Sequence, residues 1–325
     1  MSRIKSNLLA AAAALSVAGT ASALPVFDAG DNSVFFNNFE NLYRSSTACG
    51  AVQGSCLAPI AGDPAGMQRV NPFVANNVAV GDVFVGVLGV QNITSANALG
   101  GDIWNSAPGD RFTGYFVQQI KNITLGNGGL DPTAAVLTLG TTTDPFGILA
   151  AGEMFRFYTG TAGLQGGGTV ASSIAAATTG SFWASFNLGT KGYAYTRTDL
   201  TQTVGTSNTE AFLGLDFVTK GPSYNGGFWN KVNDLNEADV GGSTANFVCS
   251  AADLANPAIA CTDAVGTSEI EANRNFPGFG GANNSPWMFA SNDPFSLNRI
   301  PEPGTMALFG LALAGLGLSR RRKAA

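Results

Sequence analysis

Apolar and polar positions alternate in short runs through the middle of the chain, and Gly, Asn, Asp and Thr break the runs apart. The run DVFVGVLGV (82–90) is apolar on both faces, which predicts a strand covered on both sides. RFTGYFVQQI (111–120) sets Phe112, Phe116 and Ile120 on one face and Thr113 and Gln119 on the other, the period of two of a strand. AAVLTLG follows a turn-opening DP, and EMFRFYTG (153–160), SFWASFNLG (181–189) and KGYAYTRT (191–198) continue the series. The last two adjoin at GTKG, which predicts a hairpin. EAFLGLDFVT (210–219) brings Ala211, Leu213, Leu215 and Phe217 to one face, and ANFVCS and PWMFAS are shorter candidates. Helical periodicity is scarce. SSIAAATT (172–179) has room for a turn or two, but the glycines at 166–168 just before it favour a loop. About eight to ten short strands with frequent turns predict an all-β fold, an antiparallel β-sandwich or jelly roll, over residues 24–298 with no internal linker.

The two ends follow other rules. MSRIKSNLLAAAAALSVAGTASA opens with Arg3 and Lys5, continues in an apolar run, and ends with Ala21 and Ala23 flanking Ser22. That is the layout of a signal peptide cut after Ala23. At the other end, Pro301-Glu302-Pro303 precedes an apolar run from Thr305 to Ser319 and then four cations. As a helix this run would span about 22 Å, against about 30 Å for a bilayer core, so it predicts a short transmembrane helix. The basic end would stay in the cytoplasm.

Removing both ends changes the charge balance. Two of the 17 cations lie in the signal segment, four in the tail, and one of the 22 acids is Glu302, so the body holds 11 cations against 21 acids, a net of −10. Such a body is a poor partner for nucleic acid. Cys49 pairs most simply with Cys56 and Cys249 with Cys261, each across a local loop with Gly or Pro turn chemistry. Export makes disulfides the expected state.

The sequence holds no His, which excludes Ser-His-Asp and Cys-His catalysis. P-loop, G-x-G-x-x-G and G-x-S-x-G patterns are also missing, so no catalytic residue is assigned and no enzyme is expected. Glu210, Asp216, Asp199, Asp234, Glu237 and Asp239 are carboxylates that a glycosidase would need in a facing pair. No cofactor is expected. DAGDNS (28–33) and NDLNEAD (233–239) offer oxygen ligands for a structural calcium ion without fitting an EF-hand, and the metal question stays open. Tyr224, Trp229 and Trp287 lie in Gly/Asn-rich loops, where aromatic rings can stack on sugars or anchor the loop to the core. Two N-I-T segments, at Asn92 and Asn122, each lead from a strand into a Gly-rich turn ending in Asp.

Pro301, Glu302 and Pro303, the apolar run, and Arg320, Arg321, Arg322 and Lys323 at the extreme end together resemble a PEP-CTERM sorting signal. The resemblance covers about 25 residues and does not reach the body. It implies a Gram-negative exported protein that passes through signal peptidase and the Sec machinery. Its tail would enter the inner membrane transiently and be processed by an exosortase. It also implies an exopolysaccharide, biofilm or floc setting at the cell surface or in the extracellular matrix. On this reading the body is structural or adhesive. A carbohydrate-binding module and a carboxylate-based polysaccharide-degrading enzyme are the alternatives.

Overall fold

A computed structural model describes residues 24–95, 101–164, 167–203, 209–233, 247–256, 260–273, 276 and 285–300. The segment expected to be a signal peptide, with Ala21 and Ala23, the acids Asp234, Glu237 and Asp239, and the tail from Pro301 lie outside the described residues. In chain order the strands are β1 (Gly30–Ser45), β2 (Met67–Arg69), β3 (Val83–Ser95), β4 (Asp102–Asn105), β5 (Phe112–Leu125), β6 (Asp131–Gly140), β7 (Phe155–Thr159) and β8 (Ser181–Asn187). They continue with β9 (Tyr193–Thr198), β10 (Thr209–Lys220), β11 (Phe228–Asn230), β12 (Val232–Asn233), β13 (Phe247–Val248), β14 (Ala264–Ala272) and β15 (Phe289–Ile300). Among the described residues, three short helices intervene, α1 (Ser46–Ala51), α2 (Val170–Thr178) and α3 (Ala251–Ala255), and a four-residue helical turn, Gly126–Gly129, joins β5 to β6.

The all-β antiparallel class read from the sequence is the class observed, and the pairings specify its arrangement. β1 pairs β3 on one edge and β15 on the other. β3 pairs β5, and β15 pairs β14, which pairs β10. Two composite staves join β5 to β10. β6 and β7 lie in succession along the free edge of β5. β8 and β9 lie in succession along β10. β7 pairs β8 and β6 pairs β9. The path therefore returns to its start, and every stave neighbours the one before it in the chain. The result is a closed up-and-down barrel, which leaves no long free edge among the described residues for another chain to extend.

One local expectation is corrected. SFWASFNLG and KGYAYTRT do not form a hairpin: β8 and β9 run in the same direction, both antiparallel to β10. The GTKG segment makes a jog inside one composite stave. Glycine is required there, because a Cβ on Gly192 would stand 1.7 Å from the Leu188 carbonyl oxygen and 2.6 Å from that of Gly214.

The interior is largely apolar and aromatic, with Asn38, Glu40, Gln118 and Thr196 lining part of one cavity. Trp183 meets Phe112 edge-on at 5.0 Å, and Phe157 meets Phe186 edge-on at 5.6 Å. An eight-stave barrel is about wide enough for side chains to fill. The interior cavities accordingly measure about 30 and 40 Å³. A second core lies outside the wall. There Val83, Val85 and Val87 of β3 and Tyr115 and Val117 of β5 are covered by Val170, Ile174 and Ala177 of α2 and by Trp287. This explains why 82–90 is apolar on both faces. The glycines at 166–168 favour a loop over residues 172–179, with room for a turn or two of helix at most; α2 instead runs nine residues, capped by reciprocal hydrogen bonds between Thr169 and Ser172. Packing holds it, since a helix this short is marginal alone.

Candidate functional site

All the staves share one sense of alternation, so the loops sort into two ends. Gly30 pairs with Arg299, and Phe228 with Ile300. The first strand therefore begins, and the last one ends, in the same outermost row of the barrel. The loop from 221 to 263 belongs to this end. The loop between β1 and β3, the β5–β6 turn and the segment before β15 belong to the other.

At the end with both termini, the arm before β1 folds under an aromatic cluster. Phe27 stacks on Trp183 at 5.7 Å and meets Trp229 edge-on at 5.1 Å. The Asn225 side chain donates to the Pro25 carbonyl (2.7 Å) and accepts from Trp183 Nε1 (3.1 Å). Arg299 donates to the Phe27 carbonyl. Tyr224 and Trp229 are brought together: Trp229 Nε1 donates to the Tyr224 hydroxyl, which donates to Gly227 O (3.0 Å). Burial pushes the Tyr224 phenol up to about 12, against the pull of the Trp229 N–H. Both rings are half-buried, while Phe228 between them and the strand end is 63% exposed. Trp287 is not part of this group, being fully buried (0% exposed) in the outer core.

The acids are also placed. Asp216 and Asp263 converge on Lys231, with Nζ 2.7 and 3.1 Å from their carboxylates. Burial works against the Lys231 charge, but the two carboxylates hold its value above the ordinary one. Asp263 Oδ2 accepts from Phe217 N (2.9 Å), so the cluster pins the root of the 221–263 loop to β10. Asp199 closes a turn by accepting from Thr201 N (2.8 Å). Glu210 sits in register with Arg197 on one side and Glu269 on the other. Asp28 and Asn32 tie off the entry to β1 through backbone bonds of 2.9 Å. Asp102 accepts from Asn92 (2.7 Å) across the β3–β4 pair and Asp131 from Thr133 N (2.9 Å), so the two N-I-T echoes end in hydrogen-bonded aspartates at opposite ends of the barrel. Among the described residues no three His, Cys, Asp or Glu side chains gather as metal ligands.

Sequence reasoning missed one groove of about 460 Å³ on the outer wall, where Glu269 and Glu271 of β14 face Asn37 and Phe39 of β1 and Ala290 of β15. It opens where β14–β15 pairing lapses between Gly266 and Glu271. The E-I-E alternation at 269–271 was the available signal. The two carboxylates stand side by side on one strand, not across the groove. Both disulfides form as read, Cys49–Cys56 and Cys249–Cys261. The second closes a loop whose helix α3 is docked by Lys191, which donates to the Leu254 and Asn256 carbonyls at 2.7 and 3.0 Å.

Residues 299–323 match the PEP-CTERM protein-sorting motif. The chain thus carries an exosortase sorting signal that begins at Arg299, in the last row of the closing strand, and marks it as an exported, membrane-passing protein. Comparison with curated proteins and with solved structures gives no match. No described helix is long and apolar enough to cross a membrane, and the tail expected to do so lies outside the described residues.

Proposed function

We propose that this chain is a non-enzymatic structural or adhesive protein of the cell surface or extracellular matrix of a Gram-negative bacterium, carried there by its sorting tail. The sorting motif carries the reading, because it starts where the barrel closes and so delivers a self-contained folded body. Two local disulfides suit the oxidising side of the membrane. Among the described residues side chains fill the interior around cavities of about 30 and 40 Å³, which favours a scaffold over a small-molecule carrier. The partners on this reading are signal peptidase and the Sec machinery, then the exosortase, then exopolysaccharide.

Deleting residues 301–325 tests the route. The body should then appear unprocessed in the periplasm or medium, and a mature surface protein that still carries its tail would overturn cleavage. Removing the protein tests the role. Biofilm or floc should lose cohesion and regain it with the full chain; an unchanged matrix would count against the structural assignment. Retention of the body on exopolysaccharide gels, lost on Trp229→Ala, would favour the carbohydrate-binding alternative.

A further inference from the structure

We propose that the barrel end carrying both termini is a lipid-facing surface, and that Phe228, Leu24 and Val26 touch the bilayer while the tail is inserted. This rests on the sorting-tail reading above and adds which face of the body meets the membrane. Phe228 pairs with Ile300 in the last row of the barrel, one residue before the PEP triplet. Phe228 is 63% exposed, Val26 44% and Leu24 37%. Pro25 and Phe27, the residues between and after the exposed arm positions, are fixed to the same loop through Asn225 and Trp229.

The tether decides the orientation. From Ile300 to Thr305, where the apolar run begins, the chain can extend at most about 18 Å, and two prolines stiffen that step. The opposite end lies roughly 30–40 Å away, given strands of twelve residues or more at about 3.3 Å each. Exposed apolar side chains occur there too, including Phe73 and Leu130, so exposure alone does not choose a face. Three side chains would not hold an acidic body of net −10 on an anionic bilayer unaided. A tether this short, however, gives an effective concentration near millimolar. The contact is therefore apolar and tether-driven, and weakly sensitive to salt.

The full chain can be reconstituted in vesicles of phosphatidylethanolamine and phosphatidylglycerol with brominated acyl chains. Phe228→Trp and, separately, Leu130→Trp report each end. Quenching of the added fluorescence should be several-fold greater at position 228, should persist in high salt, and should fall when a flexible Gly/Ser insert is placed after Gly304. Equal quenching at both positions, in protein that resists alkaline extraction, overturns the inference alone. Protein extracted by alkali overturns the tail's membrane insertion and the inference with it.

Discussion

Two ion clusters show how single residues organise the ends of the barrel. Arg44, at the end of β1, makes a bidentate contact with Asp82, both bonds 2.7 Å, and also donates to the Asn77 carbonyl (3.0 Å). Asn77 in turn donates to Ser55 and Asn71 carbonyls at 2.7 and 2.9 Å. One guanidinium thereby binds the disulfide loop and the approach to β3 to the barrel. The pair is buried, and burial raises the Asp82 carboxyl although Arg44 pulls it down. Arg44→Met would strand that carboxylate, so a loss of about 3–5 kcal/mol is expected, read as a lower urea midpoint with unchanged slope. Lys231 is half-exposed, and its pair with Asp216 and Asp263 contributes less, about 1 kcal/mol. Its folded value is raised, so its stabilisation is complete below the unfolded value near 10.4 and is lost as pH rises through the folded one. Lys231→Met should therefore melt below the wild type by a constant margin between about pH 6 and 9, and the margin should shrink above about pH 10.5. A margin that widens in alkali would refute the sign.

At the scale of elements, the runs with an unbroken apolar face, or two as in β3, were readable: β3, β5, β7, β8, β9 and β10 all fall on them. The longest strand was not. β1 turns Asn32, Asn38 and Glu40 inward with Val34, Phe36 and Leu42, and turns Phe35 and Phe39 outward, so neither face is cleanly apolar. Its buried asparagines replace backbone groups: Asn41 donates to Pro286 O (3.1 Å) and accepts from Met288 N (2.8 Å), extending the β1–β15 seam beyond its last pair. Such a role is invisible without the partner, 245 residues away. The false hairpin at GTKG has the same origin, since two adjacent strands and a Gly turn look alike whether they fold back or run on. The jog can be tested. Gly192→Ala would drive a Cβ into two backbone oxygens that cannot swing aside, whereas Gly128→Ala meets nothing and only strains a positive φ of 67°. The first should cost 3 kcal/mol or more, ~3 being the scale of a severe backbone conflict, and the second about 1. Comparable midpoints for both variants would rule out the composite stave.

For the whole molecule, closure was the part furthest from the sequence. Periodicity reports which face of a strand is buried, but not whether the first strand meets the last. The sorting tail was legible because its signal is local in order and position, whereas the barrel seam joins Gly30 to Arg299. That seam makes a prediction an open sheet would not. Paired strands stand about 5 Å apart, so the chain ends at Leu24 and Ile300 can be joined by a short linker. New termini belong at Asn127–Gly128, in the β5–β6 turn, where both residues have positive φ and the turn is closed by a bond from Leu130 N to Gly126 O (3.1 Å). Opening the chain there relieves the left-handed asparagine and severs no stave. The permuted body should keep one cooperative unfolding transition, with stability within about 1 kcal/mol of the parent, as expected when adjacent ends are exchanged for an exposed turn. Hydrogen exchange should still protect β1 and β15, now contiguous in sequence. Loss of the cooperative transition, with β1 and β15 exchanging freely, would mean that the seam is not part of the native barrel.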